Sequence, residues 1–160
     1  MVLRVIFLLA LLFFSGLIFP KPEDTSDPEH PFAKHLTSLY TGYLDAARQG
    51  DVASAMDKTT DQYQEAFSNI TPEFLKSMCE GDLDPRESHF IKVDANRNTA
   101  RIIFTKDADD KTSWQAVIFK LQSSRWKIAG ILRYGMGKDS VEDTLALLLE
   151  DTSPFYKDDN

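Results

Sequence analysis

The chain has 160 residues, a formal net charge of −7, 42% apolar residues and 27% charged residues. That length fits one compact domain, and the composition excludes a wholly disordered chain, while the acidic balance argues against nucleic acid as a partner. The only cysteine is Cys79, so an intramolecular disulfide is impossible and a structural zinc site lacks its thiolates.

Residues 5–19 (VIFLLALLFFSGLIF) hold no charge and follow Arg4, while Glu23, Asp24, Asp27 and Glu29 lie beyond them. This distribution predicts an N-terminus kept inside and a domain that is exported. Residues 1–19 therefore read as a transmembrane anchor or a signal peptide. The run approaches the roughly 20 residues that a spanning helix needs. Small residues do not occupy both positions of an A-x-A-like cleavage site, since Phe13 and Phe14 stand two before Ser15 and Gly16. The expected location is membrane-anchored with the domain on the periplasmic or extracellular side, or secreted if the segment is cleaved.

Residues 20–31 are rich in proline and acid and read as an extended polar linker. The folded domain is expected over residues 32–151, with an acidic tail at 152–160. From Leu36 the positions Leu39, Tyr40, Tyr43, Leu44 and Ala47 recur at helical spacing. Gly50 can end that helix in the left-handed conformation and Asp51 can cap the next. Val52, Ala55, Met56, Tyr63 and Phe67 continue on a second helix or on two broken ones. Thr71-Pro72 marks another start, with the threonine as cap and the proline at a position where its missing N–H costs nothing. Gly81 closes that helix, and residues 82–87 form a polar connection.

Beyond it the period becomes alternating. Strands are expected over residues 88–94, 99–106, 113–121 and 125–133, joined by short turns as an antiparallel meander. Neither face of the last two is wholly polar: Trp114, Ala116 and Ile118 alternate with Gln115, Val117 and Phe119. One face should cover the helices and the other should be partly buried by the C-terminal element, a protein partner or a second copy. Asp139 and Glu142 suit the start of a final amphipathic helix carrying Val141, Leu145, Leu148 and Leu149.

The order of the helical pieces, the corner LDAARQGDVASAM, the four strands and the segment SSRWKIAGI together resemble the nuclear transport factor 2-like superfamily over about residues 34–135. The resemblance implies an α+β cone, with a curved antiparallel sheet wrapped around helices and a pocket at one end. That fold serves isomerases and dehydratases as well as non-catalytic binding and assembly modules, so it does not assign a function. Its enzymes place a carboxylate or histidine with tyrosine donors deep in the cone.

Candidates for the pocket are Tyr43, Tyr63, His89, Trp114 and Trp126, although aromatic residues at such spacings more often form core, and a lone strand histidine is more often a surface residue. Cys79 beside Met78 reads as a small core residue. Asp107, Asp109 and Asp110 lack the ligand spacing of a calcium loop. With no catalytic, metal or cofactor motif, the sequence favours a non-catalytic exported binding or assembly module tethered at the membrane. The alternative is an isomerase- or dehydratase-like enzyme, or a carrier of hydrophobic ligands.

Overall fold

The computed structural model describes residues 21–109 and 113–134. Helix α1 (Pro31–Gln49) is followed by α2 (Val52–Met56), α3 (Asp61–Ala66) and α4 (Pro72–Cys79), then by strands β1 (His89–Ala95), β2 (Thr99–Thr105), β3 (Trp114–Gln122) and β4 (Arg125–Tyr134). The strands pair antiparallel in the order β1-β2-β3-β4, the α+β meander that the alternating period indicates. Residues 1–20 and 135–160, with the N-terminal apolar run and the expected final helix and acidic tail, lie outside the described residues.

Helix α1 begins five residues before Leu36. Pro31 occupies the first turn, where no N–H is missed, and His30 Nδ1 accepts the Phe32 N–H at 3.3 Å. The helix therefore takes in Phe32, Ala33 and His35; Phe32 is fully buried, and burial lowers the pKa of His35. The preceding stretch bends after Thr25, turns between Asp27 and His30, and is held to the sheet. Thr25 exchanges backbone hydrogen bonds with Val93 at 3.0 and 2.7 Å, and the Asp24 carboxylate accepts the Ala95 N–H at 2.5 Å.

Gly50 sits at φ 74° and closes α1, donating its N–H to the Ala47 carbonyl at 3.0 Å; Asp51 then caps α2 by accepting the Ser54 N–H at 3.0 Å. This corner turns α2 back onto α1, with the end of the first helix and the start of the second both capped. The second helical stretch is two pieces, because the turn at Asp57–Lys58 leads to Thr59, Thr60 and the edge of β4. Thr60 donates its N–H to the Ile128 carbonyl at 2.9 Å, and Ile128 donates to the Lys58 carbonyl at 2.8 Å.

The main core lies between the helices and one face of the sheet, where Phe32, Tyr40, Leu44 and Leu75 meet Ile102, Phe104, Val117, Phe119 and Ile128. On the opposite face Ile103, Trp114 and Ala116 form a smaller buried cluster with Ile91 and Leu132 packed against it. Register shifts between Phe90 and Lys92 and between Ile118 and Phe119 interrupt the ladders; such bulges bend a strand and increase its twist.

The β3–β4 turn places two serines in left-handed conformations, Ser123 at φ 50° and Ser124 at φ 63°. A two-residue hairpin with both φ values positive favours Asn-Gly, and a side chain at each position adds strain. Replacing Ser123-Ser124 by Asn-Gly is expected to raise unfolding stability by about 1 kcal/mol, read as a higher denaturant midpoint at unchanged slope. A lower midpoint would contradict the turn geometry.

Candidate functional site

A hollow of about 710 Å³ lies between α3, the end of α4 and β4. Its helical wall carries Tyr63, Ala66, Phe67 and Met78, and its sheet wall carries Ile118, Ile131 and Leu132. The volume falls in the range of small-molecule sites, which are concave, chiefly apolar and furnished with a few convergent polar groups.

Those polar groups come from three directions. Helix α1 brings Tyr43, which is fully buried, and α3 brings Tyr63; their hydroxyls lie 3.2 Å apart. Helix α4, capped by Thr71 accepting the Phe74 N–H, presents Leu75 and Cys79 one turn apart on its buried face. The Cys79 thiol reaches Tyr43 Oη at 4.0 Å. The third contribution is Asp82, whose side chain is only 1% exposed.

Two clamps fix Asp82. Leu83 donates its N–H to Gln115 Oε1 on β3 at 3.0 Å, and Gln115 Nε2 donates in turn to Tyr40 Oη at 2.5 Å. One residue further on, Asp84 accepts from Arg86 Nε at 2.8 Å and from Arg48 of α1 at 2.5 Å, and Arg86 also reaches Asp45 of α1 at 2.7 Å. The chain from residue 82 to 86 is thus tied to both the sheet and α1. Arg133 of β4 donates from Nε to Asp82 Oδ1 at 2.7 Å and also donates to the Met78 carbonyl. Asp82 Oδ2 is buried and accepts no N–H or O–H from the described residues, and the Cys79 thiol stands beside the carboxylate as its remaining donor. Such an oxygen is costly unless something donates to it.

Burial governs the acid–base character of the neighbours. It pushes the Tyr43 hydroxyl far above its ordinary range and raises Tyr63 as well. Burial first, then the nearby Asp82 charge, pushes the Cys79 thiol up to about 11. Both tyrosines and the thiol are therefore neutral at physiological pH, and Cys79 is no nucleophile there. The Asp82 hydrogen bond raises the Arg133 guanidinium further, so it stays charged.

Of the residues singled out from sequence, Tyr43 and Tyr63 meet in this hollow. His89 opens β1 as an exposed residue and does not line it. Trp114 belongs to the cluster on the opposite sheet face. Trp126 packs edge-on against Phe32 at 5.4 Å and borders a different hollow of about 530 Å³, with Lys21, Arg97 and Leu121. Asp82 and Arg133, the charged groups of the site, escape a sequence reading because residues 82–87 look like solvated connection and Arg133 lies 51 positions away.

Among the described residues no group of three or more His, Cys, Asp or Glu side chains could hold a metal ion, and no helix is long and apolar enough to cross a membrane. No family model, curated protein or solved structure matches the chain.

Proposed function

We propose that the chain is a binding module that takes a small, mostly apolar molecule into the hollow between α3, α4 and β4. In this reading the domain has the cone architecture of the nuclear transport factor 2-like superfamily, and residues 1–19 tether it at the outer face of a membrane. The single observation that carries the reading is the apolar hollow of about 710 Å³ with polar groups converging in it. Neutral tyrosines and a neutral thiol suit a site that receives a ligand and does not attack it. The reading calls on no second copy at the sheet face, where Ile103, Trp114 and Ala116 are buried within the chain itself.

Gly130 offers a test. A Cβ added there meets only Ile118 Cδ1, at 3.9 Å, and Ile118 lines the hollow. Gly130→Leu should fill ligand space while leaving the unfolding midpoint within a degree or two. Uptake of a neutral solvatochromic dye by the full chain in lipid nanodiscs, measured against empty nanodiscs, should weaken about tenfold, the equivalent of about 1.4 kcal/mol. Equal uptake by both proteins would sink the proposal.

One observation favours a second reading, a proton-transfer enzyme: a buried carboxylate, Asp82, stands beside the hollow together with two tyrosine hydroxyls. Incubating ligands that bear an acidic C–H in deuterated buffer separates the two. Ligand recovered without exchange supports binding alone, and exchange abolished by Asp82→Asn supports the enzyme.

A further inference from the structure

We infer that the end of the sheet at which the chain enters the domain docks on anionic phospholipid headgroups; this rests on the reading above that residues 1–19 tether the domain at a membrane. The sheet fixes the entry point. Thr25 pairs antiparallel with Val93 of β1, and Asp24 accepts the Ala95 N–H. Going back from Thr25 to Lys21 therefore follows β1 forward to its turn into β2. The β3–β4 turn lies at the same end, where the Leu121 N–H donates to the Asn98 carbonyl at 2.8 Å. Lys21 and Arg97 line the hollow of about 530 Å³ there, with Leu121, Ser124 and Trp126. Only Pro20 separates Lys21 from the tether, so this is the end held at the headgroups.

Its side chains suit an anionic surface. Lys21, Arg97 and Arg125 are exposed. Arg48, Arg86, Arg101 and Arg133 each face an aspartate, whereas those three carry no ion pair among the described residues. The acids at this end are engaged: Asp24 by the Ala95 N–H, Glu23 beside His30 at 3.7 Å, and Asp61 by Gln122 Nε2 at 2.5 Å. Leu121, 39% exposed, adds an apolar contact. The far end of the sheet, beyond Thr105, exposes Asp107 and Asp109 beside Lys106, so its charge is opposite in sign. Each Lys or Arg at an anionic membrane surface favours contact by about fivefold, within a screening distance of about 8 Å. A free phosphate in the open hollow would meet Lys21 and Arg97 alone; a lipid surface engages all three cations and covers Leu121.

The test places the full chain in nanodiscs of phosphatidylcholine, or of phosphatidylcholine mixed with phosphatidylglycerol, each carrying a trace of phosphatidylcholine with a nitroxide on its headgroup. Paramagnetic relaxation of the Arg97 and Ser124 amides should rise at least threefold from the neutral to the anionic discs, while that of Asp107 and Asp109 does not rise. High salt should abolish the difference. Arg97→Glu combined with Arg125→Glu, at exposed positions in and beside the turns, should abolish it too and leave the unfolding midpoint unchanged.

Equal relaxation in the two discs would overturn the inference while leaving the tether standing. A rise that persists in the folded double variant would also overturn it. Amide shifts at Arg97 that inorganic phosphate reproduces in neutral discs would overturn it in favour of a free anion. A chain that washes off the discs would remove the tether and this inference with it. The wild-type comparison needs no variant, so poor folding of the double variant cannot leave the matter open.

Discussion

Arg133→Met is expected to lower unfolding stability by about 3 kcal/mol. Methionine keeps much of the aliphatic bulk but removes the donor to Asp82 Oδ1 and to the Met78 carbonyl. The carboxylate left behind is 1% exposed in side chain, and its other oxygen accepts no N–H or O–H from the described residues. Breaking a buried pair from one side is more damaging than removing both members, because a lone buried charge remains. The half-exposed position of Arg133, 47% in side chain, lets water approach and holds the loss to the lower end of the usual range. Arg133→Met combined with Asp82→Leu should therefore recover most of the stability. A double-mutant cycle by denaturant unfolding checks this; additive losses in the double variant would show that the two groups do not depend on each other.

Asp84→Ala should cost about 2 to 3 kcal/mol, through lost charge-assisted hydrogen bonds. Asp84 is 6% exposed in side chain and joins Arg86 of the connecting segment to Arg48 of α1. The cations it leaves are about half exposed and can be hydrated, so this loss is smaller than that for a stranded buried charge. Hydrogen bonds from Arg86, with a further one from Arg48, hold the Asp84 carboxyl well below the usual carboxylate range. A carboxyl depressed in the folded state contributes its full stability above its unfolded value of about 3.9. That contribution shrinks as pH falls towards the depressed folded value, because the unfolded chain binds the proton first. Wild-type stability should thus decline on acidification below about pH 5 more steeply than that of Asp84→Ala, and parallel profiles would contradict the network. The variant should also loosen the position of Asp82, two residues away.

The strands were legible because the change of period from helical to alternating is abrupt after residue 88 and each turn is polar. Their ends fall within a residue of those expected. The split of the second helical stretch was left open by the spacing alone; the fold decides it by drawing Thr59 and Thr60 onto β4. The early start of α1 was hidden by Pro31, which reads as linker by composition but as a favourable first-turn residue once Phe32 has a core to enter. Asp24 and Thr25 look like solvated chain until the exposed edge of β1 supplies backbone partners.

The site was legible only in part. Tyr43 and Tyr63 share the helical spacings of core residues, and they are core residues whose hydroxyls meet at the wall of a hollow. Asp82 sits in a polar connection, where nothing local marks it as buried. What buries it is the meeting of that connection with Gln115 and Arg133, both on strands that follow it. Contacts of that span are a property of the tertiary fold, and residue spacing does not carry them.

The most direct test of the account is nuclear magnetic resonance of the full chain in nanodiscs, with methyl labels on Met78 and Ile131 at the hollow and on Ile103 of the opposite cluster. Titrated with 1-octanol, the hollow methyls should shift in a saturable way and show contacts to the ligand chain, while Ile103 stays unmoved. Shifts confined to Ile103, or none that saturate, would contradict a ligand site between α3, α4 and β4.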